Sequence, residues 1–148
     1  MIILTGGAGF IGSNLLKFLN DKGISEILVV DSLGKGGKWK NLVGKRYVDY
    51  MHKTRFRQLL TTGCLPKADS VFHLGACSDT TETDAEYLMD NNYLFSKELL
   101  HWALEHNAAF LYASSAATYG DGSYGYADDD ETTLKLRPLN MYGYSKQL

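Results

Sequence analysis

The sequence has few of the residues that cross-link a chain or anchor it in a membrane. Its 148 residues include two prolines and two cysteines, Cys64 and Cys77, which form neither a CxxC pair nor a disulfide-dense pattern. Free thiols of this kind are typical of a reducing compartment. No apolar run approaches the roughly 20 residues that span a membrane. These absences predict a cytoplasmic protein.

An excess of charge of either sign is also absent. The formal net charge is −2, and 45% hydrophobic with 22% charged residues is an ordinary globular composition. Such a balance gives no argument for nucleic acid or a membrane surface as a partner. The length suits one domain over residues 1–148. Because the first predicted strand begins at Met1, we expect neither a signal nor a transit peptide.

A glycine-rich turn, Thr5–Gly12, is the most informative stretch present. The apolar residues 1–4 before it predict a short buried strand. Behind it, apolar residues recur at helical spacing and predict a helix: Ile11, Leu15, Phe18 and Leu19. Glycines at positions 7, 9 and 12 have the spacing of a dinucleotide-binding turn, in which the backbone approaches a pyrophosphate at a helix N-terminus.

An acidic residue follows the glycine turn at the distance that is typical of dinucleotide-binding folds. Asp31 lies nineteen residues after Gly12, at the end of a second apolar strand, Ile27–Val30, and suits hydrogen bonds to an adenosine ribose. The following loop is rich in glycine and lysine. It is either simply solvated or places Lys35, Lys38 or Lys40 to neutralise a 2′-phosphate. NADP and NAD therefore both stay open as cofactors.

Strands and helices alternate through the rest of the chain. Strands are predicted at Tyr47–Tyr50, Ser70–Ala76 and Ala109–Ala113, and helices at Thr54–Leu60, Asp84–His106 and from Asn140 onward, with a polar loop over Asp121–Arg137. This alternation predicts an α/β fold, a doubly wound parallel sheet of the Rossmann type.

Three polar residues fall within these apolar elements. We expect His73 to be a bonded structural histidine, and no His, Cys or carboxylate is spaced with it as a metal-binding set. Asn91 and Asn92 interrupt the apolar face of the long helix. A buried amide needs partners, so one of them either bonds the backbone of a neighbouring loop or lies near the cofactor.

The chemistry-bearing residues come late in the chain. Tyr142 and Lys146 are four apart and share one face of a helix, whereas Tyr144 points away. A free phenol has a pKa of about 10, and a nearby ammonium favours its phenolate. Ser115, at the end of the fifth strand, is placed to bond the same substrate oxygen. Together these three residues predict a catalytic site that exchanges an alcohol proton during oxidation and reduction.

These motifs resemble a known family. Thr5–Gly12, Ser115 ahead of Tyr119-Gly120, and Tyr142-x-x-x-Lys146 are similar to the extended short-chain dehydrogenases/reductases, which act on nucleotide-linked sugars. More narrowly, five blocks resemble the ADP-glyceromanno-heptose 6-epimerases: Phe72–Ser78, Met89–Tyr93, Ser96–His101, Leu111–Gly120 and Asn140–Lys146. The resemblance covers the whole chain.

The resemblance implies a bacterial enzyme of lipopolysaccharide core biosynthesis. Such an enzyme uses tightly held NADP to oxidise C6 of an ADP-heptose transiently, reduces it again from the other face, and is expected to be a homo-oligomer at full length. Tyr142 is then the acid/base, assisted by Lys146 and Ser115. The cofactor contacts are expected at Gly6, Gly9, Phe10, Ile11, Gly12, Asp31, Ser32, Lys38, Lys53, Leu74, Gly75, Ala76, Cys77, Ser78, Asn91 and Lys146.

Two departures and two alternatives accompany this reading. Leu74 stands where the family often has an acidic residue, and Asp79 where it often has a small hydroxyl residue. The family's substrate domain and second catalytic base lie beyond Leu148, so the isolated chain is expected to be inactive.

One alternative function is another nucleotide-sugar enzyme, a 4-epimerase or a dehydratase; dehydratases usually carry an acidic pair where Ala116 and Ala117 stand. The other is a non-catalytic NAD(P)-binding module.

Overall fold

Five parallel strands form one sheet in a computed structural model that describes residues 1–148. They are β1 (Ile2–Thr5), β2 (Ile27–Asp31), β3 (Asp49–His52), β4 (Ser70–His73) and β5 (Ala109–Tyr112). Their spatial order is β3-β2-β1-β4-β5, so the chain winds outward from β1 in both directions. The prediction of a doubly wound parallel sheet is confirmed.

Six α-helices connect or follow the strands. They are α1 (Phe10–Asp21), α2 (Lys53–Thr61), α3 (Ala85–Leu88), α4 (Phe95–Glu105), α5 (Asp130–Thr133) and α6 (Met141–Gln147). Two short 3₁₀ helices cover Gly37–Leu42 and Ala116–Tyr119, and a π-helical segment, Met89–Leu94, joins α3 to α4.

The chain forms two compact units. The first comprises Met1–Gly75 and Lys97–Tyr112 and contains the whole sheet. The second comprises Ala76–Ser96 and Ala113–Leu148 and contains α3, the π-helical segment, α5 and α6. The single dinucleotide-binding domain expected over residues 1–148 stays a prediction.

The core of the first unit lies around the two central strands. Leu4 of β1, Val29 of β2 and Leu16 of α1 are fully buried in one cluster. Each such side chain stabilises the fold by about 1.5–3 kcal/mol through its removal from water. The N-terminal apolar run therefore forms the centre of the sheet and positions the glycine turn at its end.

The predicted helix is confirmed as α1, and only some of its apolar residues face inward. Ile11 and Phe18 are 67% and 56% exposed, whereas Gly12, Leu16 and Leu19 are buried. The reason is the close approach of the helix start to the glycine turn, because a Cβ on Gly12 would overlap the Gly6 carbonyl oxygen. This contact turns the face that carries Gly12 inward and leaves Ile11 outside.

Several predicted boundaries are also corrected. β3 spans Asp49–His52 and not Tyr47–Tyr50, since its register runs from Asp49 opposite Leu28 to His52 opposite Asp31. β4 ends at His73, so Leu74–Ala76 lies beyond the strand. The loop after β5 contains α5, whose first turn is capped by the Asp129 side chain at 2.7 Å from the Thr132 nitrogen. A four-residue charged helix has no apolar periodicity by which the sequence could reveal it.

The long helix predicted over Asp84–His106 is a composite of α3, the π-helical segment and α4. Its expected inward residues are buried: Leu88, Phe95, Leu99, Trp102 and Ala103. The π-helical turn is the unexpected part. Such turns bond i to i+5, are rare, and often accompany functional sites.

Candidate functional site

The glycine turn requires glycine at two of the predicted positions. Gly6 has φ +70°, and a Cβ there would come within 2.7 Å of the Gly75 nitrogen. A side chain on Gly12 would strike the Gly6 carbonyl. Gly9 has more room, with Gly6 oxygen at 3.1 Å from its ideal Cβ. The turn therefore consists of closely packed backbone segments that leave no room for a side chain at Gly6 or Gly12.

The start of α1 lies open beside this turn. Gly9 is the N-cap residue, and no side chain caps the first turn or places an acid in it. Phe10 and Ile11 are both largely exposed there. Uncapped N–H groups and the positive end of the helix dipole suit an anion. The residues present therefore fit the pyrophosphate of a dinucleotide.

Asp31 is buried and already takes several hydrogen bonds. Its carboxylate accepts from the Ala8 N–H at 2.8 Å, from the Ser32 N–H at 2.7 Å and from Lys38 Nζ at 2.5 Å. The bond from Ala8 ties the glycine turn to the end of β2. The ion pair with Lys38 compensates the aspartate charge at the position expected to face the adenosine ribose.

His52 joins this group, although sequence reasoning did not select it. Its Nε2 lies 3.3 Å from Ser32 Oγ, and its Nδ1 accepts from the Thr54 N–H at 3.3 Å as the N-cap of α2. Lys53, a predicted cofactor residue, is the first residue of that helix. His52 reaches this position because it pairs with Asp31 in the register of β2 and β3. That register cannot be read from the local sequence, which is why His52 was not predicted.

The end of β4 is organised by a buried pair. His73, 1% exposed, has Nδ1 at 2.6 Å from Thr5 Oγ1, and the same oxygen accepts from the Gly75 N–H at 3.0 Å. The expectation that His73 is a bonded structural histidine is confirmed. Its pairing with Thr5 fixes the backbone at Leu74 and Gly75, two of the predicted cofactor contacts.

The remaining residues of that turn, Ala76, Cys77 and Ser78, begin the second unit. The Cys77 N–H donates to Asn92 Oδ1 at 2.8 Å, and Asn92 Nδ2 donates to the Cys77 oxygen at 3.0 Å. Asn92 is fully buried, and Asn91 donates to its Oδ1 at 3.0 Å. The interpretation that one asparagine pins a loop backbone is therefore confirmed for Asn92.

Helix α6 carries the predicted acid/base pair. Asn140 caps it, accepting from the Gly143 N–H at 2.7 Å. Tyr142 and Lys146 are both buried, whereas Tyr144 is 47% exposed and points away as expected. Gly143 allows close packing, because a Cβ there would come within 2.6 Å of the Ala117 oxygen. The helix thereby lies against the 3₁₀ turn that follows Ser115.

Ser115 and Lys146 line one cavity of about 510 Å³ in the second unit. Ser115 Oγ accepts from the Ala117 N–H at 3.2 Å, which leaves the hydroxyl hydrogen for another acceptor. The other polar residues of the wall include Thr118, Asp129 and Asp130. Tyr142 is not part of this lining, so the arrangement brings two of the three predicted catalytic residues to one cavity and places the third on the same helix.

Burial dominates the electrostatics of Lys146. The side chain is 6% exposed, and desolvation lowers its pKa from 10.5 to about 8. Because this value is above neutrality, the amine is mostly an ammonium ion at pH 7. A buried ammonium exerts a stronger local field than an exposed one.

The lowered pKa predicts a pH-dependent stability. At pH 7 Lys146 is protonated both in the folded and in the unfolded chain, so the folded state carries the full cost of burying the charge. The shift from 10.5 to about 8 corresponds to about 3 kcal/mol. This cost is relieved as pH rises from about 8 through 10.5. Lys146→Met should therefore be more stable than the parent at pH 7, and the difference should shrink toward pH 10.5.

Denaturant unfolding of both chains from pH 6.5 to 10.5 measures this difference. Lys135→Met is the matched control, since Lys135 is exposed and its removal should give a nearly constant difference. A Lys146→Met advantage that does not change with pH would contradict the assignment.

Neither a cluster of metal ligands nor a membrane-spanning helix is found in the structure. No three or more His, Cys, Asp or Glu side chains are grouped so that they could hold a metal ion. None of the helices combines the length and the apolar character needed to cross a membrane.

The fold and the motifs match one family over nearly the whole chain. Residues 2–148 match the NAD dependent epimerase/dehydratase family, and the chain belongs to it. The chain is 58% identical over its full length to an ADP-L-glycero-D-manno-heptose-6-epimerase of Nitratidesulfovibrio vulgaris, of which it covers 46%. The resemblance seen in the motifs is thereby confirmed, and the chain spans about half the length of the curated relatives it matches.

Solved structures agree with this family. The chain superposes on the ADP-L-glycero-D-manno-heptose-6-epimerase of Helicobacter pylori with a TM-score of 0.79 and 31% identity, covering 98% of this chain and 46% of that one. It superposes equally well, at 0.79 with 25% identity, on the UDP-glucuronic acid 4-epimerase of Bacillus cereus in complex with NAD, covering 98% and 48%.

Proposed function

We propose that the chain is the dinucleotide-binding part of an ADP-glyceromanno-heptose 6-epimerase. The observation that carries the proposal is the second unit's constellation: Tyr142 and Lys146 buried on one helix, with Lys146 and Ser115 lining one cavity. The name of the 58% identical relative supports ADP-heptose as the substrate. The proposed setting is lipopolysaccharide core biosynthesis in the cytoplasm, by a homo-oligomer at full length.

Each catalytic residue has one task in this proposal. A bound nicotinamide cofactor supplies the oxidation and reduction at C6. Tyr142 takes the proton of the C6 hydroxyl and returns it when the configuration has changed. Lys146 supplies a buried positive charge from the same helix. Ser115 donates its free hydroxyl hydrogen to the sugar oxygen and orients it.

The proposed cofactor is NADP, and NAD is the alternative. Residues of the first unit bind the adenosine half: the glycine turn holds the pyrophosphate, while Ser32, Lys38 and Lys53 take the 2′ position. Asp31 supports this assignment because its carboxylate is engaged by two backbone N–H groups and by Lys38. A carboxylate neutralised in this way repels a 2′-phosphate less than a free one.

Removal of the Lys38 charge tests the cofactor proposal. Lys38→Ala should weaken NADPH binding by about tenfold, the value of one charge-assisted contact. The affinity for NADH should fall less, so the ratio of the NADPH affinity to the NADH affinity should decrease. Fluorescence titration of the 148-residue chain with each nucleotide measures both constants. Lys40→Ala, in the same loop and exposed, is the control, and equal losses for both nucleotides would contradict the assignment.

A chimera tests the proposed reaction. Residues 1–148 replace the matching segment of the Nitratidesulfovibrio vulgaris relative, and this protein is called the chimera below. Supplied with NADP, it should invert ADP-D-glycero-D-manno-heptose. A 4-epimerase is the second candidate, because a UDP-glucuronic acid 4-epimerase superposes equally well. Turnover of UDP-glucuronic acid in preference to the ADP-heptose would favour that candidate.

A further inference from the structure

The histidine at the end of β3 has a neighbour that fixes which of its ring nitrogens carries the hydrogen. The Thr54 backbone nitrogen lies 3.3 Å from His52 Nδ1. A backbone N–H group can only donate, so Nδ1 is the acceptor and bears no hydrogen. A neutral imidazole has one N–H group, which must then be at Nε2. The N-cap position of His52 on helix α2 therefore selects the Nε2–H tautomer.

The other ring nitrogen determines the direction of a serine hydroxyl. His52 Nε2 lies 3.3 Å from Ser32 Oγ. Because Nε2 carries the hydrogen, the ring donates and the hydroxyl oxygen accepts. A serine hydroxyl has one hydrogen and two lone pairs, so its own hydrogen points away from the ring. Within residues 1–148 no acceptor takes that hydrogen, since the other bonds at Ser32 involve only its backbone nitrogen and oxygen.

The backbone of two strands holds the serine and the histidine together. His52 pairs with Asp31 in the parallel register of β2 and β3, so Ser32 follows directly after the residue opposite the histidine. The Ser32 N–H donates to Asp31 Oδ1 at 2.7 Å, and the Tyr50 hydroxyl donates to the Asp31 carbonyl oxygen at 2.9 Å. The Ser32–His52 contact is therefore part of the sheet's end and does not depend on the exposed ring alone.

The Ser32 hydroxyl lies among the groups proposed to take the 2′ position of the cofactor. Lys38 Nζ lies 2.5 Å from Asp31 Oδ1 and 3.5 Å from the Ser32 carbonyl oxygen. Lys53 follows His52 as the first residue of α2. A lysine attracts an anion as a point charge without a preferred direction. The oriented hydroxyl hydrogen adds the direction that the lysines do not supply.

We propose that His52 is a positioning residue for recognition of the 2′-phosphate. Its Nε2–H group occupies one lone pair of Ser32 Oγ and thereby directs the Ser32 hydroxyl hydrogen to a phosphate oxygen. The inference rests on the proposed function, in which Ser32 contacts the 2′-phosphate of NADP. A neutral ring that does not itself bind the nucleotide then sets part of the preference for NADP.

Two substitutions separate the capping nitrogen of His52 from its donor nitrogen. Asparagine places an amide oxygen near the position of Nδ1 and is a preferred N-cap residue. His52→Asn therefore keeps the bond from the Thr54 N–H and removes the donor to Ser32. Glutamine is one methylene longer and places its amide nitrogen near the position of Nε2. His52→Gln therefore keeps the donor to Ser32.

Two nucleotides that differ only in the 2′-phosphate measure the effect. Adenosine 2′,5′-bisphosphate and adenosine 5′-phosphate are titrated into the 148-residue chain at pH 8, where a phosphate monoester is a dianion. His52→Asn should weaken binding of the bisphosphate about fivefold, the value of one hydrogen bond, and that of the 5′-phosphate less than about twofold. His52→Gln should keep both parent affinities, as should the exposed control His101→Asn on α4.

The serine hydroxyl supplies a double-variant test. In a Ser32→Ala background, His52→Asn should cause no further loss of bisphosphate affinity, because the ring acts only through that hydroxyl. A second fivefold loss in this background would overturn the proposal. Denaturant unfolding of His52→Asn should give the parent midpoint, which shows that the α2 cap is intact while the affinity changes.

The tautomer and the parent affinities complete the test. NMR of isotopically labelled histidine should show the hydrogen of His52 on Nε2, and a hydrogen on Nδ1 would overturn the inference without any nucleotide. A parent chain that prefers the bisphosphate while His52→Asn keeps the whole preference would overturn this inference alone, as would equal losses for both nucleotides. A parent chain that binds the two nucleotides equally would instead remove the NADP assignment, and this inference with it.

Discussion

Replacing Tyr142 with phenylalanine is expected to lower the rate of C6 inversion by the chimera about 10²–10⁴-fold, the usual contribution of a general acid/base. The ring fills the same buried volume, so the fold should not change. Only the hydroxyl that exchanges the substrate proton is lost. Stopped assays read by NMR of the heptose protons measure the rate.

Tyr144→Phe is the matched control for this change. Tyr144 lies on the same helix and is 47% exposed, so loss of its hydroxyl should leave the rate nearly unchanged. NADPH affinity should be similar in all three proteins. Inversion at the parent rate in Tyr142→Phe would place the acid/base elsewhere in the chain.

Gly12→Ala is expected to destabilise the chain by about 3 kcal/mol, the upper end for an overpacked site, and to abolish dinucleotide binding. The new methyl group would overlap the Gly6 carbonyl oxygen, with the Gly7 Cα 2.8 Å away. Both are backbone atoms, so no flexible side chain can move aside. Denaturant unfolding and NADPH titration measure the two losses.

Gly36→Ala provides the comparison for this second prediction. Gly36 has φ −89°, and a Cβ there would meet nothing within 4 Å. The free energy of unfolding should therefore change by less than about 0.5 kcal/mol. Equal losses of stability in Gly12→Ala and Gly36→Ala would mean that the backbone of the glycine turn is not closely packed at Gly12.

The periodic parts of the fold could be predicted from the sequence. The apolar runs of β1 and β2, the turn between them and the acid at Asp31 all have local signatures. Two other features, the start of β3 and the inward face of α1, do not follow from apolar periodicity. β3 is set by pairing of Asp49 with Leu28, and the face of α1 by the contact of Gly12 with Gly6. The pairing of Asp49 with Leu28 has no counterpart in the local sequence, whereas the contact of Gly12 with Gly6 lies within the glycine motif itself.

The candidate site, too, was predictable where its residues follow a local pattern and not where its contacts are long-range. Tyr142 and Lys146 could be paired from their spacing, because helical geometry brings i and i+4 together. From the residues alone, Lys38 was one of three lysines that could neutralise a 2′-phosphate, and its ion pair with Asp31 was not predicted. Asn92 could be recognised as a polar interruption, but its partners Cys77 and Ser145 lie 15 and 53 residues away. The π-helical turn that contains Asn92 has no signature in a pattern of 3.6-residue period.

The central claim is that residues 1–148 carry the dinucleotide turn and the acid/base of a C6 epimerase. Its most direct test is NMR of ADP-D-glycero-D-manno-heptose incubated in D₂O with the chimera and NADP. The account predicts a mixture of the two C6 epimers in which C6 keeps its original hydrogen, because oxidation and reduction use one bound cofactor. Absence of inversion, or inversion with solvent deuterium at C6, would contradict it.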